Sequence, residues 1–534
     1  MKKNKGFGKP AARSAPELPG LLKLAHQHLR AERFAEAGVL YHQVLQLDPD
    51  QPEALHRMGV VLQKLGRPDT GIAMMTKATQ LKTNYSECHY DLGHALLAQC
   101  QVDAAQAQYE RVLVIEPELA QAHFCLGNVL MAQSQPDRAE ICYQQACALL
   151  PTWAEAHNGL GNAQFALAKF TEAGVSYQQA CQLQPDGADV YLNLGMVCGE
   201  KGQLTEALAH YQKSLELNPN DAQTRFNRAC LYLSLGNFAQ GWAEYECRWG
   251  TLYLARTART YAQPLWTGES FVGRTVFLYP EQGLGDNLQF IRYASLVKAR
   301  GGTVVVECPA SLKALFATCV GIDHLVATGE TLPPFDLQLP LMSLPHVFQT
   351  DLATIPHQVP YLFAPADCNL PLAVQTALMT AVGLRVGIVW APGLDHPSKY
   401  QRYCPLHHFT ALLTTAGVSF FSLYQGPQVT ELAPFAGQLV DVGSHCRDFN
   451  DTAWAIAQVD LVVTVDTSVT HLAGALGKPT WVLLPAVAEW RWLLDRADSP
   501  WYPTARLFRQ PEAGDWAGLL TLVQTALLRY SRPH

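Results

Sequence analysis

The stretch "HFCLGNVLMAQSQPDRAEICYQQACALLP", residues 123–151, decides the fold of the first half of the chain. A first helix carries Leu126 and Gly127 at its middle, where the small residue lets a second helix pack closely. The second helix carries Ala139 and Tyr143 four residues apart, on one face. Pro151 follows an apolar turn and ends that helix, because a proline ring clashes with its continuation. The stretch therefore predicts a pair of closely packed helices.

The helix pair recurs with a period of 34 residues. Four kinds of residue repeat at that step: tyrosines at 109, 143, 177, 211 and 245, glycines at 59, 93, 127, 161 and 195, prolines at 117, 151, 185 and 219, and alanines at 105, 139, 173 and 207. This period and this motif resemble the tetratricopeptide repeat. We expect about seven units over residues 19–255. The last is degenerate, because Ala229 and Gly241 replace the usual Gly and Ala.

Stacked units of this kind form an α superhelix with a concave groove. The groove is expected to bind an acceptor protein or peptide, and the alternative is a rigid spacer or a dimerisation element, so an oligomer is possible. Related arrays hold an extended peptide with a ladder of asparagines. Here only Asn193 and Asn227 share that column, and Gly159 and Cys125 occupy its earlier places. The incomplete ladder weakens a mechanism that reads a peptide backbone.

Composition and charge exclude several classes of protein. The 534 residues suggest about three to four domains, with an ordinary globular balance of 49% hydrophobic and 16% charged residues. The net charge of −7, without a basic stripe, argues against a nucleic-acid partner. The 14 cysteines form no CxxC pair and no cluster with zinc spacing, so no metal is expected. Free, buried thiols in a reducing compartment favour a cytoplasmic protein.

The first residues have the composition of a tail. Residues 1–18 are basic and rich in Gly, Pro and Ala, with no apolar segment after them, which predicts a disordered basic tail and not a secretory signal. No run of about 18 apolar residues occurs, so no stable membrane insertion is expected.

The second half of the chain has an α/β pattern. Short apolar, β-branched runs alternate with helical stretches, which favours parallel sheets. The predicted strands are residues 275–279, 303–308, 324–328, 385–390, 418–424, 461–465 and 480–484. The Pro-rich segments 332–345 and 359–371 interrupt this alternation and are interpreted as links between two lobes. Two facing open sheets place ligands in the cleft at the C-terminal ends of their strands.

The first candidate site is the loop "QGLGDN", residues 282–287, between the first strand and the first helix. Its glycines permit close approach of another chain. The third glycine of a dinucleotide-binding motif is missing, because position 288 is Leu, and no acidic ribose partner follows the second strand, so NAD binding is rejected. Asp286 is either a helix cap or a general base that accepts a hydroxyl proton.

The second candidate site is "VDTSVTHLAGALGKPTWVLLP", residues 465–485. A strand ends at Val465, and Asp466, Thr467 and Ser468 open a helix that carries His471 one turn inside. Helix-start N–H groups, two hydroxyls and an imidazole at one point suit a diphosphate. The alternative is an N-cap aspartate with a buried histidine on the helix face.

The third candidate stretch is "WAPGLDHPSKYQRYCPLHHF", residues 390–409. Lys399 and Arg402 are cations that could offset the charge of a leaving diphosphate, or they are solvated loop charges. His407 and His408 are interpreted as helix surface.

Two further stretches border the same predicted cleft. "LYQG", residues 423–426, ends another strand, and Gln425 lies where its backbone could touch a base or ribose. Asp451 is interpreted as an N-cap or a first-turn acid.

Together these stretches resemble the heptosyltransferase-type glycosyltransferases of the GT-B fold, glycosyltransferase family 9. The resemblance covers nearly all of residues 274–510 and is specific in "GLGD" and in the D-T-S-x-x-H helix start. It implies Asp286 as the catalytic base. It also implies a donor diphosphate on Asp466, Thr467, Ser468 and His471. The family has a Lys three residues before a Pro, where this sequence has Arg402, so that role is less secure and Lys399 is the reserve.

The layout of a repeat array before such lobes is similar to that of O-GlcNAc transferases. It implies an α superhelix followed by an α/β GT-B fold of two Rossmann-like lobes, an acceptor-side lobe over 256–370 and a donor-side lobe over 380–534. On the acceptor side lies the loop of Gln282, Gly283, Gly285 and Asn287. The expected activity is metal-independent, inverting transfer from a nucleotide-diphosphate sugar to a protein hydroxyl. The alternatives are a glycan or lipid acceptor, or a non-catalytic scaffold that binds nucleotide sugar.

Overall fold

A computed structural model describes residues 18–393 and 402–531 of the chain. The predicted tail, residues 1–18, lies outside them except for Leu18, which begins the first helix. The chain separates into two compact units, Met1–Val197 and Cys198–His534.

Consecutive helix pairs make up the repeats, as the 34-residue period predicts. The helices are α1 (Leu18–Arg30), α2 (Phe34–Leu47), α3 (Pro52–Lys64), α4 (Pro68–Leu81), α5 (Ser86–Ala98), α6 (Val102–Ile115), α7 (Ala120–Ala132), α8 (Pro136–Leu149), α9 (Ala154–Ala166), α10 (Phe170–Leu183), α11 (Ala188–Glu200), α12 (Leu204–Leu217), α13 (Ala222–Ser234) and α14 (Phe238–Tyr245). Prolines 117, 151, 185 and 219 each follow the end of a helix, as expected.

The glycine and tyrosine columns face each other inside the helix pairs of Gly93, Gly127 and Gly161. A Cβ on Gly127 of α7 would lie 2.7 Å from a ring carbon of Tyr143 on α8. A Cβ on Gly161 would lie 2.5 Å from a ring carbon of Tyr177. Real side chains do not approach so closely, so these positions admit only glycine while the tyrosines stay in place. Each of these glycines therefore makes room for the ring of the tyrosine that faces it.

The second unit contains two parallel sheets. Their strands are β1 (Thr275–Tyr279), β2 (Thr303–Cys308), β3 (His324–Ala327), β4 (Leu337–Pro340), β5 (Leu384–Val389), β6 (Val418–Ser422), β7 (Leu439–Asp441), β8 (Leu461–Val465), β9 (Thr480–Leu484) and β10 (Ala505–Arg509). One sheet has the order β3-β2-β1-β4 and the other the order β10-β9-β8-β5-β6-β7. The prediction of parallel sheets is confirmed.

The interpretation of the Pro-rich segment 332–345 as a link was wrong. It contains β4, which pairs with β1 at the edge of the first sheet. Pro340 is the last residue of that strand, a position where a missing N–H costs little. Strands β7 and β10 were also missed, because they are short or lie at the edge of their sheet and alternate apolar with polar residues.

The helices of this region follow the strands. They are α15 (Leu284–Phe290), α16 (Ala294–Lys298), α17 (Lys313–Phe316), α18 (Leu344–Val347), α19 (Leu372–Thr380), α20 (Thr410–Leu413), α21 (Phe449–Gln458), α22 (Ser468–Ala475) and α23 (Trp516–Tyr530). One buried apolar cluster joins α13 and α14 to both sheets. The last repeat thus shares its core with the α/β region.

Candidate functional site

The Asp286 turn begins at the C-terminal end of β1. Gly283 is the N-cap of α15, and Oδ2 of Asp286 accepts a hydrogen bond from its backbone N–H at 2.8 Å. Asn287 is buried and donates from Nδ2 to the Gly283 carbonyl at 2.8 Å. Asp286 therefore caps this helix with one of its two carboxylate oxygens.

The Asp466 turn begins at the C-terminal end of β8. The Asp466 carboxylate is buried and lies 3.0 Å from Nη1 of Arg402. Burial is the largest single influence and raises the pKa of Asp466, but Arg402, His471, Trp492 and Arg491 together outweigh it, so the net pKa is lowered. Thr467 is the N-cap of α22 and Ser468 its first residue. Asp466 and Arg402, which were both predicted to bind diphosphate, thus form an ion pair with each other.

His471 lies in the first turn of α22 and is buried. Its Nδ1 is 2.8 Å from the hydroxyl of Tyr502, and its ring stacks on Trp492 at 5.8 Å. Nε2 is 3.9 Å from Oδ1 of Asp466. Burial lowers the pKa of His471 to about 3. The imidazole is therefore neutral near pH 7 and acts on a ligand as a hydrogen-bonding group, not as a cation.

The two turns meet although Gly285 and His471 are 186 positions apart in the sequence. A Cβ on Gly285 would lie 2.7 Å from Cδ2 of His471. Gly285 is required here for close approach of the two helix starts. The sequence predicts both turns at strand ends, and the structure brings them into contact.

Arg491 was not among the predicted site residues, and it joins the two turns. It follows β9, and its Nη2 donates to Oδ1 of Asp286 while its Nη1 donates to Oε1 of Glu489. Its Nε donates to Oε1 of Gln289 at 2.7 Å, and its guanidinium lies 4.1 Å from the centre of the Trp490 ring. Burial raises the pKa of Glu489 to about 7. The available signal was the position of "AEWRW", residues 488–492, just after a strand.

We call this set the carboxylate–guanidinium cluster: Asp286, Glu489, Asp466, Arg491 and Arg402. It contains three carboxylates and two guanidinium groups, and His471 beside it is neutral. Its cations are all engaged with its own acids. An anion that binds to either guanidinium of this cluster must therefore compete with a carboxylate for it.

Side chains in and just after the last repeat helix contact the residues that precede Asp286. Nε of Arg248, after α14, lies 2.8 Å from Oε2 of Glu281, and both side chains are buried. Gln282 donates from Nε2 to the Tyr245 hydroxyl at 3.0 Å. Trp242 packs edge-on against Trp490 at 5.2 Å. Gln282 is thus held by the repeat and does not lie free in the loop.

The remaining residues singled out in the sequence lie apart from the carboxylate–guanidinium cluster or outside the described residues. Gln425 donates from Nε2 to the Thr452 hydroxyl at 3.3 Å. Lys399 lies outside the described residues. Asp448, not Asp451, is the N-cap of α21, and Asp451 is buried in its first turn, where it accepts from the backbone N–H of Asn369 at 2.8 Å. His407 is exposed on a 3₁₀ turn, not on an α-helix.

Within residues 18–393 and 402–531, no group of three or more His, Cys, Asp or Glu side chains is arranged to hold a metal ion. In the same ranges no helix has the length and apolar character needed to cross a membrane.

The first unit has a polar network of its own. Asn193, from the incomplete ladder, donates to Oδ1 of Asn158 at 2.9 Å and to Oδ1 of Asn162 at 3.1 Å. Asn158 in turn donates to Oδ2 of Asp189 at 2.9 Å. Asn193 therefore bonds to the neighbouring repeat through Asn158 and Asn162, two residues that lie outside the ladder column. A cavity of about 310 Å³ lies elsewhere in this unit, lined by Ser86, Glu87, Tyr90, Glu116, Leu119 and Gln121.

Models of the tetratricopeptide repeat match residues 52–85, 90–154, 126–188, 188–221 and 210–243. The predicted repeats are thereby confirmed: the chain carries tetratricopeptide repeats followed by an α/β region with parallel sheets.

Known proteins resemble parts of the chain. Protein FlbA of Caulobacter vibrioides is 27% identical over 327 residues, 56% of this chain and 54% of FlbA, so the match spans about half of that relative. DnaJ homolog subfamily C member 3 of Homo sapiens is 30% identical over 88 residues, 16% of this chain and 18% of that protein. The crystal structure of YrrB, a TPR protein with an unusual peptide-binding site, is 20% identical, with a TM-score of 0.32 over 34% of this chain and 95% of that one.

Proposed function

We propose that the α/β region transfers a sugar from a nucleotide-diphosphate sugar to a hydroxyl group of a protein that the repeats select. The observation that carries the proposal is the contact between Gly285 and His471. It brings the turn after β1 and the turn after β8 together at the C-terminal ends of strands from two parallel sheets, where open α/β folds bind their ligands. The finer assignment of two Rossmann-like lobes in a GT-B fold is part of this proposal.

In the proposed reaction the donor lies on the six-stranded sheet. The first N–H groups of α22 face its diphosphate, with Ser468 and His471 as hydrogen-bonding groups. The acceptor hydroxyl approaches from the β1 side. Its oxygen attacks the anomeric carbon as the bond to the phosphate oxygen breaks, and the nucleoside diphosphate leaves with that electron pair. The hydroxyl proton passes to Asp286, and attack opposite the leaving group inverts the configuration.

The donor side can be tested first, on the purified full chain. Thermal-shift measurements with a panel of nucleotide sugars should identify one that raises the melting temperature. A ligand at 100 times its dissociation constant stabilises by about 2.7 kcal/mol. His471→Asn should lose the shift, while His407→Asn, an exposed histidine of the same sheet region, should keep it. A panel in which nothing binds the wild-type chain would contradict the proposal.

Turnover is the second test. With the donor found, release of nucleoside diphosphate and a mass increase on the acceptor should both be lost in Asp286→Asn. Asparagine keeps the helix cap, because its side-chain oxygen still accepts from Gly283. A variant that retains full turnover would rule out Asp286 as the base.

The protein acceptor is tested in the first unit. Asn158→Ala combined with Asn193→Ala removes the polar network and should lower transfer to protein without changing donor binding. Substitution is a better test than deletion of residues 19–250, because Trp242, Tyr245 and Arg248 are buried against the α/β region. Unchanged transfer in the double variant would favour a glycan or lipid acceptor.

A further inference from the structure

We propose that Arg491 is a ligand of the donor diphosphate, and that its guanidinium leaves Asp286 when the diphosphate binds. The inference rests on the proposed sugar transfer. It adds a residue outside the stretches that suggested that function, and it makes the freeing of Asp286 depend on the donor.

Arg491 is placed to meet a ligand on the six-stranded sheet. Arg491 follows β9, and Asp466 follows the neighbouring parallel strand β8. Both residues therefore lie beyond the C-terminal ends of their strands, at the same end of the sheet. The Arg491 side chain is only 9% exposed. The Trp490 ring and the Gln289 amide fix the plane of the guanidinium. A planar fork held in this way matches two oxygens of a phosphate.

Arg491 occupies the carboxylate of Asp286 that an acceptor hydroxyl must reach. Oδ2 is engaged by the backbone N–H of Gly283, and Oδ1 by Arg491. A hydroxyl that approaches Asp286 therefore meets two donors already in place. The carboxylate becomes more accessible to the hydroxyl once one donor withdraws. The Gly283 bond caps α15, which leaves the guanidinium as the group that can move.

The charge balance gives the guanidinium a reason to move. The carboxylate–guanidinium cluster has no unpaired cation, and a diphosphate adds at least two negative charges. Electrostatic attraction then favours turning a guanidinium from a carboxylate to the phosphate oxygens. Arg402 is tied to the buried Asp466, whereas the partners of Arg491, Asp286 and Glu489, have side chains 19% and 22% exposed. Water can take over their hydrogen bonds when Arg491 departs.

Calorimetric titration with UDP, GDP, CDP, ADP and dTDP tests the inference without an acceptor. The nucleoside diphosphate that binds the wild-type chain should bind Arg491→Gln at least tenfold more weakly. Arg491→Lys should be intermediate, because it keeps the charge and loses the fork. Arg506→Gln, which removes an exposed arginine from β10 of the same sheet, is the matched control and should bind as the wild type does.

A second variant separates a ligand from a merely structural arginine. Asp286→Asn frees Arg491 before the ligand arrives, so it should bind the same nucleoside diphosphate about tenfold more tightly, although it cannot turn over. A structural Arg491 predicts no such gain. Unchanged affinity in Arg491→Gln, or no gain in Asp286→Asn, overturns the inference and leaves the proposed function standing. If none of the five nucleoside diphosphates binds the wild-type chain, the proposed function and this inference fail together.

Discussion

The guanidinium of Arg248 forms an ion pair with the carboxylate of Glu281, with Nε 2.8 Å from Oε2 and side-chain exposures of 0% and 1%. Arg248 follows the last repeat helix, and Glu281 lies five residues before the candidate base Asp286. Glu281 also accepts from the backbone N–H of Met342, just after β4. The pair therefore fixes the Asp286 turn to the repeat and to the edge of the sheet.

Glu281→Gln should destabilise the second unit by about 3 kcal/mol, because it removes the buried one of the two carboxylates, Glu281 and Glu246, that lie 2.8 Å from the buried guanidinium of Arg248. Urea unfolding followed by tryptophan fluorescence measures this, since Trp153 is the only one of the 11 tryptophans before residue 198. Asp498→Asn, which breaks an exposed pair with Arg496, should cost less than about 1 kcal/mol. Equal effects in the two variants would show that the buried pair is not special.

Gly285→Ala should separate the two helix starts. The added Cβ would meet His471 at 2.7 Å, so the turn must shift, at a cost of about 1–3 kcal/mol, and nucleotide-sugar binding should weaken. Gly199→Ala is the control, because nothing lies within 4 Å of its added Cβ near the end of α11. That change should be neutral or stabilise by up to about 1 kcal/mol. Wild-type stability and binding in Gly285→Ala would contradict the packing described.

Stability should depend on pH through His471. Its pKa is lowered from 6.5 to about 3 by burial, so the folded state stays neutral while the unfolded state takes up a proton below about pH 6.5. This contribution is complete above pH 6.5 and is lost as the pH falls toward 3, by about 1.4 kcal/mol per pH unit. The free energy of unfolding, measured at pH 7, 6 and 5, should therefore fall more steeply in the wild type than in His471→Asn. Parallel curves would contradict a buried, neutral His471.

Gly161→Ala should destabilise the first unit. The Cβ would lie 2.5 Å from the ring of Tyr177, and overpacking of this kind costs about 1–3 kcal/mol. Gly174→Ala, on the partner helix, meets only Val197 at 3.5 Å and should be neutral or slightly stabilising. Thermal unfolding followed by circular dichroism compares the two. If both variants melt alike, the glycine column has no packing role.

The repeats and most strands could be predicted because their signals are local. A tetratricopeptide unit buries its face against its neighbours in sequence, so Gly127 and Tyr143 lie only 16 residues apart and recur with the period. Buried strands such as β8 and β9 are continuous apolar runs. The turns after β1 and β8, with Asp286, Asp466 and His471, followed from the same local pattern. Edge strand β4 was not predicted, because Pro340 and the prolines of the segment around it resemble a linker.

Which side chains meet was decided only by the tertiary structure. The pairing of Arg491 with Asp286 joins residues 205 positions apart, and no periodicity relates them. Charge compensation in a buried site depends on distances of a few ångströms between elements of different sheets, whereas sequence patterns record only which face of one element is apolar. Sequence alone therefore predicts the repeats, the parallel strands and the turns that end them. The fold decides that Asp286 is capped and ion-paired, and that the last repeat holds it in place.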